Sequence, residues 1–172
     1  MCSSDLNCLF PIALELITGE QVRRTVEAAR KHLLVPGALR SLAPLPVFPP
    51  LPIHSCDGRA LNDPKHPYWG RYAGDEDTQR KPAYHNGTAW SWLFPLYAEA
   101  LVLLYGESAR ATGLSLLGSA VERLNGGCLG HPPAICDGDA QHVARGCCGQ
   151  AWGVSELLRV WLRISRAVPS LP

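Results

Sequence analysis

The sequence is short of net charge. Sixteen Lys and Arg stand against fifteen Asp and Glu, leaving +1 over 172 residues, so nucleic acid and anionic membranes are not expected as partners. Long apolar runs are lacking too. The most apolar stretch, LFPLYAEALVLLYG, carries Glu99 in its middle and falls short of a bilayer span. The start, MCSSDLNCLFPIALELITG, has no basic region and is interrupted by Glu15, which predicts neither signal peptide nor anchor. There is no paired cysteine framework: Cys2, Cys8, Cys56, Cys128, Cys136, Cys147 and Cys148 are odd in number and irregularly spaced. That pattern predicts reduced thiols and a cytoplasmic location, and makes Asn86-Gly87-Thr88 a glycosylation sequon in letters only. The length fits one domain with its own core.

What is present is helical periodicity punctuated by Gly and Pro. In TGEQVRRTVEAARKHLL, Thr18 and Gln21 form a capping-box pattern, Val22, Val26, Ala29 and Leu33 follow at helical spacing, and Pro36 and Gly37 stop the run. NCLFPIALEL reads as a shorter helix with Pro11 near its first turn. Between Pro36 and about Pro82 the periodicity disappears into Pro, Gly and Asp, and PLPVFPPLP reads as a rigid extended stretch on the surface. Three helices follow: SWLFPLYAEALVLLY to Gly106, SARATGLSLLGSAVERLN to Gly126 and Gly127, and GQAWGVSELLRVWLRISRAV to Pro169. In the last, Ala151, Val154, Leu158 and Trp161 form the predicted apolar stripe, with Arg159, Arg163 and Arg166 on another face. No segment reads as a strand. The expected fold is all-α, built from helix pairs with long irregular loops, its chemistry lying in Tyr84 to Trp92 and Pro132 to Arg145.

Several chemistries compete for these loops. Ala140 and Gln141 break the EF-hand pattern after Asp137-Gly138-Asp139, and Cys136, His142 and Cys147 lack the short paired spacing of structural zinc. No metal and no cofactor are expected. Adjacent Cys147 and Cys148 are not a Cys-x-x-Cys motif and read as packing residues; a His85–Cys147 nucleophile pair stays open on spacing alone. A sugar pocket uses more of the residues, since Tyr84, His85, Trp90 and Trp92 offer aromatic faces and Asp137 and Asp139 planar hydrogen-bonding groups. Against it, Trp90 and Trp92 serve equally as core anchors, and Asp137 as a turn cap.

YHNGTAWSWLFPLYAEALVLLYG and AICDGDAQHVARGCCGQAWGVSELLRVWL, in that order and separation, resemble the C-terminal end of the amylo-α-1,6-glucosidase domain of glycogen debranching enzymes. NCLFPIAL, LRSLAP and YWGRYAGD extend the likeness over most of the chain, leaving the proline-rich stretch from Leu45 to His66 as an insertion. The resemblance implies part of an (α/α)6 toroid and inverting hydrolysis of α-1,6-linked glucose at glycogen or limit-dextrin branch points. Such chemistry needs two carboxyl groups about 6.5–9.5 Å apart. It further implies that Tyr84, His85, Asn86, Trp90, Trp92, Asp137, Gln150 and Trp152 bind substrate. Asp137 and Asp139 would stand in the loop that carries the base.

Two departures qualify that expectation. The family's general base is a glutamate three residues before the first Asp of DGD, where this chain has Ala134, which holds no proton. The general acid of the family lies upstream of the matching blocks. Either Asp137 or Asp139 replaces the missing base, or this polypeptide does not hydrolyse on its own and is a carbohydrate-binding or scaffolding remnant. The expected partners are an α-glucan such as glycogen, limit dextrin or a maltooligosaccharide, and either the missing N-terminal half of the barrel or a second copy of the chain.

Overall fold

A computed structural model describes residues 5–124, 126 and 128–166. Cys2, Gly127 and Pro169 lie outside the described residues. The fold is mixed, which corrects the all-α partial toroid expected above. A short 3-10 turn, Leu6–Leu9, leads into α1 (Phe10–Ala13) with Pro11 in its first turn. Next comes α2 (Gly19–Ala28), continued by a π-helical turn, Ala29–Leu33. β1 (Leu34–Val35) and β2 (Ala38–Arg40) follow, then a long loop region, a π-helical turn Glu76–Arg80, α3 (Lys81–Tyr84) and β3 (Ala89–Trp90). The chain ends with α4 (Phe94–Tyr105), α5 (Glu107–Val121), β4 (Ile135–Cys136), β5 (Ala144–Arg145) and α6 (Ala151–Ser165).

The five strands form one antiparallel sheet in the order β1-β2-β3-β4-β5. Each has only two or three residues, too few for alternation to show in a sequence. Pro36 and Gly37 do stop the second helix, and they also make the two-residue turn between β1 and β2. There proline fixes the first backbone angle and Gly37 takes φ +66 at the second.

The core centres on α4. Phe94 to Ala100 are all buried, with Val102 and Leu103, and a helix apolar all round belongs inside a fold. One side packs on Leu9, Ile12, Val22, Val26 and Leu33, which confirms the stripe read in α2. The other side packs on Leu117 of α5 and on Leu157, Val160 and Ile164 of α6. The capping box does not form. Thr18 makes no side-chain cap bond, and Gly19 enters at φ +59, outside the helical region that a first helical residue needs.

The stripe predicted for α6 is also corrected: its buried face is Gly153, Leu157, Val160 and Ile164, while Leu158 is 58 % and Trp161 38 % exposed. The rotation has an electrostatic cause. Arg159 and Arg163 turn inward to Glu99 of α4, whose side chain is 2 % exposed. No helix among the described residues is long and apolar enough to cross a membrane.

Burial pushes the Cys8 thiol up to about 12 and that of Cys136 to about 11. As pH rises the unfolded chain releases these protons first, so stability falls from about pH 9 upward. The slope is roughly 1.4 kcal/mol per pH unit for each thiol until its folded value is reached. Urea midpoints are therefore expected to drop between about pH 8 and pH 10.5, and Cys136→Ala to flatten the drop. An unchanged slope in that variant would mean Cys136 ionises freely in the fold.

Candidate functional site

The sheet brings together the two blocks that the sequence singles out. β3 pairs with β4, Ala89 opposite Cys136 and Trp90 opposite Ile135, so residues far apart in the chain share one wall. A third segment closes against them. Trp69 N–H donates to the Asn86 carbonyl at 2.6 Å, and Gly138 N–H to the Gly70 carbonyl at 2.7 Å.

The aromatic residues fall into two groups. Tyr84 lies 4.7 Å from Trp90, 4.9 Å from His85 and 5.6 Å from Tyr72, and the His85 ring stacks on Trp90 at 5.6 Å with 13° between planes. Trp92 stacks on Trp152 at 4.7 Å and meets Phe10 at 5.8 Å. Trp90 is both anchor and wall: it is 8 % exposed, and its indole N–H donates to the Tyr84 carbonyl at 3.3 Å.

Between the groups lies a cleft of about 170 Å³ lined by His85, Trp90, Trp152, Asp5, Asn7 and Ser41 among others. A neighbouring cleft of about 490 Å³ is lined by Phe10, Trp92, Trp152, Glu156 and Arg159, among others. Trp152 belongs to both.

Four of the residues assigned to substrate binding, His85, Trp90, Trp92 and Trp152, therefore line open space. The other four stand behind it or beside it. Tyr84 supports the rings. Asn86 spends its amide on the Pro82 carbonyl at 2.7 Å. Gln150 is half-buried where α6 begins and makes no cap bond. Asp137 is buried, accepting the Tyr72 N–H at 2.8 Å and the Arg145 guanidinium at 3.0–3.3 Å. A carboxylate so occupied joins the Tyr72 segment to the β4–β5 hairpin.

Asp139 is exposed and accepts the Tyr68 hydroxyl at 3.0 Å; burial above all pushes the Tyr68 phenol up to about 12. Neither aspartate is among the residues lining either cleft. Ala134 is a buried methyl preceding β4. Its carbonyl accepts both Ser91 N–H and Ser91 Oγ–H at 3.2 Å, and its own N–H donates to Cys147.

Sequence reasoning passed over Asp5, Asn7 and Ser41. Asp5 caps the 3-10 turn through Asn7 N–H at 2.7 Å, and Ser41 Oγ accepts Gly87 N–H at 2.9 Å. The signal for Asp5 and Asn7 is the short polar run ahead of LFPIAL, which reads as no more than a helix entry, and Ser41 stands in LRSLAP, where no pattern marks it. Among the described residues, no three His, Cys, Asp or Glu side chains converge as a metal centre requires.

The paired strands of this wall, β3 and β4, fall within a stretch that matches a glycoside hydrolase family: the family model described as amylo-alpha-1,6-glucosidase matches residues 56–159, more than half of the chain. The chain belongs to the amylo-alpha-1,6-glucosidase family. Among curated proteins none matches it.

Proposed function

We propose that the chain is the C-terminal portion of a debranching-type catalytic domain, which binds the terminal glucose of an α-glucan between His85, Trp90 and Trp152 and releases no glucose by itself. The single observation that carries the reading is the cleft lined by the stacked His85–Trp90 pair and by Trp152, which itself stacks on Trp92. Aromatic rings in the lining suit the apolar faces of a pyranose, and Asp5, Asn7 and Ser41 supply polar groups for its hydroxyls. Inactivity in isolation is supported by Ala134, a methyl where the resemblance implies a base. The exposed Leu14, Leu16 and Leu158 of the same molecule, 64 %, 72 % and 58 % exposed, favour a partner that completes the domain.

Tryptophan fluorescence titrated with maltooligosaccharides tests the site. Trp152 is 60 % exposed, so Trp152→Ala is expected to change stability little and to weaken binding about tenfold, the loss of roughly one aromatic platform. No spectral change in the unmodified chain at high sugar concentration would overturn the reading, as would full affinity in Trp152→Ala. Glucose release from limit dextrin by the chain alone would overturn the inactivity. A second reading, a carbohydrate-binding remnant with no catalytic future, is also favoured by Ala134. Co-expression with the N-terminal half of a debranching-type domain separates the two, since glucose release supports the first and binding without release the second.

A further inference from the structure

Two loops separated by the β4–β5 hairpin meet at sulfur. Cys128, half-exposed, lies after α5; Cys147 and Cys148, both exposed, lie before α6, and all three are free thiols. Cys128 Sγ is 3.7 Å from where a Cβ on Gly149 would stand, so the Cys128 thiol lies against the chain directly after Cys148. The two segments are bonded to each other ahead of β4, and the Cys128 loop closes on itself in a turn. Ala134 N–H donates to the Cys147 carbonyl at 2.9 Å, and His131 N–H to the Cys128 carbonyl at 3.1 Å.

The other described thiols are differently placed: Cys8 and Cys136 are protected by burial, and exposed Cys56 lies near Lys81 in the long loop region.

We propose that Cys128 and Cys148 are a modification site, a dithiol that a small disulfide oxidant of the glutathione type closes into a disulfide. The link would join the two ends of the segment that carries Ala134, Asp137 and Asp139, and would anchor the chain just ahead of Trp152. Cys148 is exposed and Cys128 only half-exposed, so the attacking thiolate is assigned to Cys148; the neighbouring Cys148 thiol first, then desolvation, holds the Cys128 thiol above its ordinary value. It attacks one sulfur of the oxidant, forming a mixed disulfide and expelling one glutathione thiolate. Cys128 then releases its proton to solvent and attacks the Cys148 sulfur, expelling the second. Two protein thiols are oxidised and one glutathione disulfide is reduced to two thiols.

The test treats the full chain with oxidised glutathione at about pH 8, where thiolate is accessible, blocks remaining thiols with iodoacetamide and maps peptides by mass without reduction. The expected product is a Cys128–Cys148 link that survives in Cys147→Ser and is lost in Cys128→Ser and in Cys148→Ser, with Cys56 serving as the unlinked control. Closing a loop of about twenty residues is expected to raise the melting midpoint by roughly 5–10 °C, reversed by dithiothreitol. A Cys128–Cys147 link, or mixed disulfides alone, would overturn the assignment. A Cys128–Cys148 link with an unchanged or lowered midpoint would also count against it, because the sulfurs would then meet only when the loops leave their native positions. The reduced serine variants should melt with the unmodified chain, which separates loss of the link from loss of the fold.

Discussion

Replacing Arg159 and Arg163 together with alanine is expected to lower the unfolding free energy by roughly 3–5 kcal/mol, and Glu99→Leu to cost much less. The asymmetry follows from where the charges sit. Glu99 emerges from the middle of α4 and is 2 % exposed, whereas Arg159 and Arg163 are 41 % and 33 % exposed. Its Oε1 accepts Arg159 Nη1 at 3.0 Å and Arg163 Nη1 at 2.7 Å, while Oε2 accepts Arg159 Nη2 at 2.7 Å.

Removing both cations leaves a buried carboxylate without its charge partners. Removing the carboxylate strands nothing comparable. The guanidiniums reach solvent and retain Glu156 at 3.0 Å and Glu15 at 3.1 Å, and leucine supplies apolar volume in place of the carboxylate. Each single arginine variant should fall between, since Arg163 alone still holds Oε1 and Arg159 alone still holds both oxygens. Urea unfolding of the four variants decides it. A Glu99→Leu loss as large as that of the double arginine variant would mean that the pair adds net stability beyond its desolvation.

This network also shows where the sequence could and could not be read. In the sequence, Glu99 is only an interruption in an apolar run, which argues against a membrane span. That it is the buried centre of an ion cluster depends on a helix some sixty residues away in the chain, and local periodicity carries no such information. For the same reason the face of α6 was misassigned: Leu158 and Trp161 look like core partners until Arg159 and Arg163 are drawn inward. Helix ends were legible because their causes are local, such as Gly106 after α4 and Pro11 at the start of α1.

The sheet was not legible, since two-residue strands such as Ala89–Trp90 are defined by partners rather than by pattern. Within the candidate site, the aromatic character of His85, Trp90, Trp92 and Trp152 was readable from residue type. The positions of Asp137, tied to Arg145 and Tyr72, and of Cys128, beside Cys148, came only from the pairing of distant loops.

The glycine between the two aspartates governs that pairing, and Gly138→Ala is expected to cost about 3 kcal/mol or more. A Cβ there would run into the Gly87 carbonyl oxygen, with Tyr68 Oη at 2.9 Å and the Gly87 carbonyl carbon at 3.1 Å. The obstacle is backbone on both sides. Gly87 donates to Ser41 Oγ at 2.9 Å, and its own missing Cβ makes room for the Trp69 carbonyl at 2.5 Å. Gly138 is held in turn, its N–H by the Gly70 carbonyl at 2.7 Å and its carbonyl by Arg40 Nε at 2.9 Å.

Neither chain can step aside without breaking these bonds. The strain should therefore open the wall, releasing Tyr72 from Asp137 and Tyr68 from Asp139, and with them the support behind Tyr84 and His85. Gly118→Ala in α5 is the matched control: nothing stands within 4 Å of its added carbon, and alanine is favoured over glycine in a helix by about 1 kcal/mol. The expected result is opposite signs in urea unfolding, together with loss of near-ultraviolet aromatic signal and of maltooligosaccharide binding in Gly138→Ala only. Equal stability of the two variants would mean that the three glycine-bearing segments do not meet at this junction, and that the aromatic wall is held by the β3–β4 pairing alone.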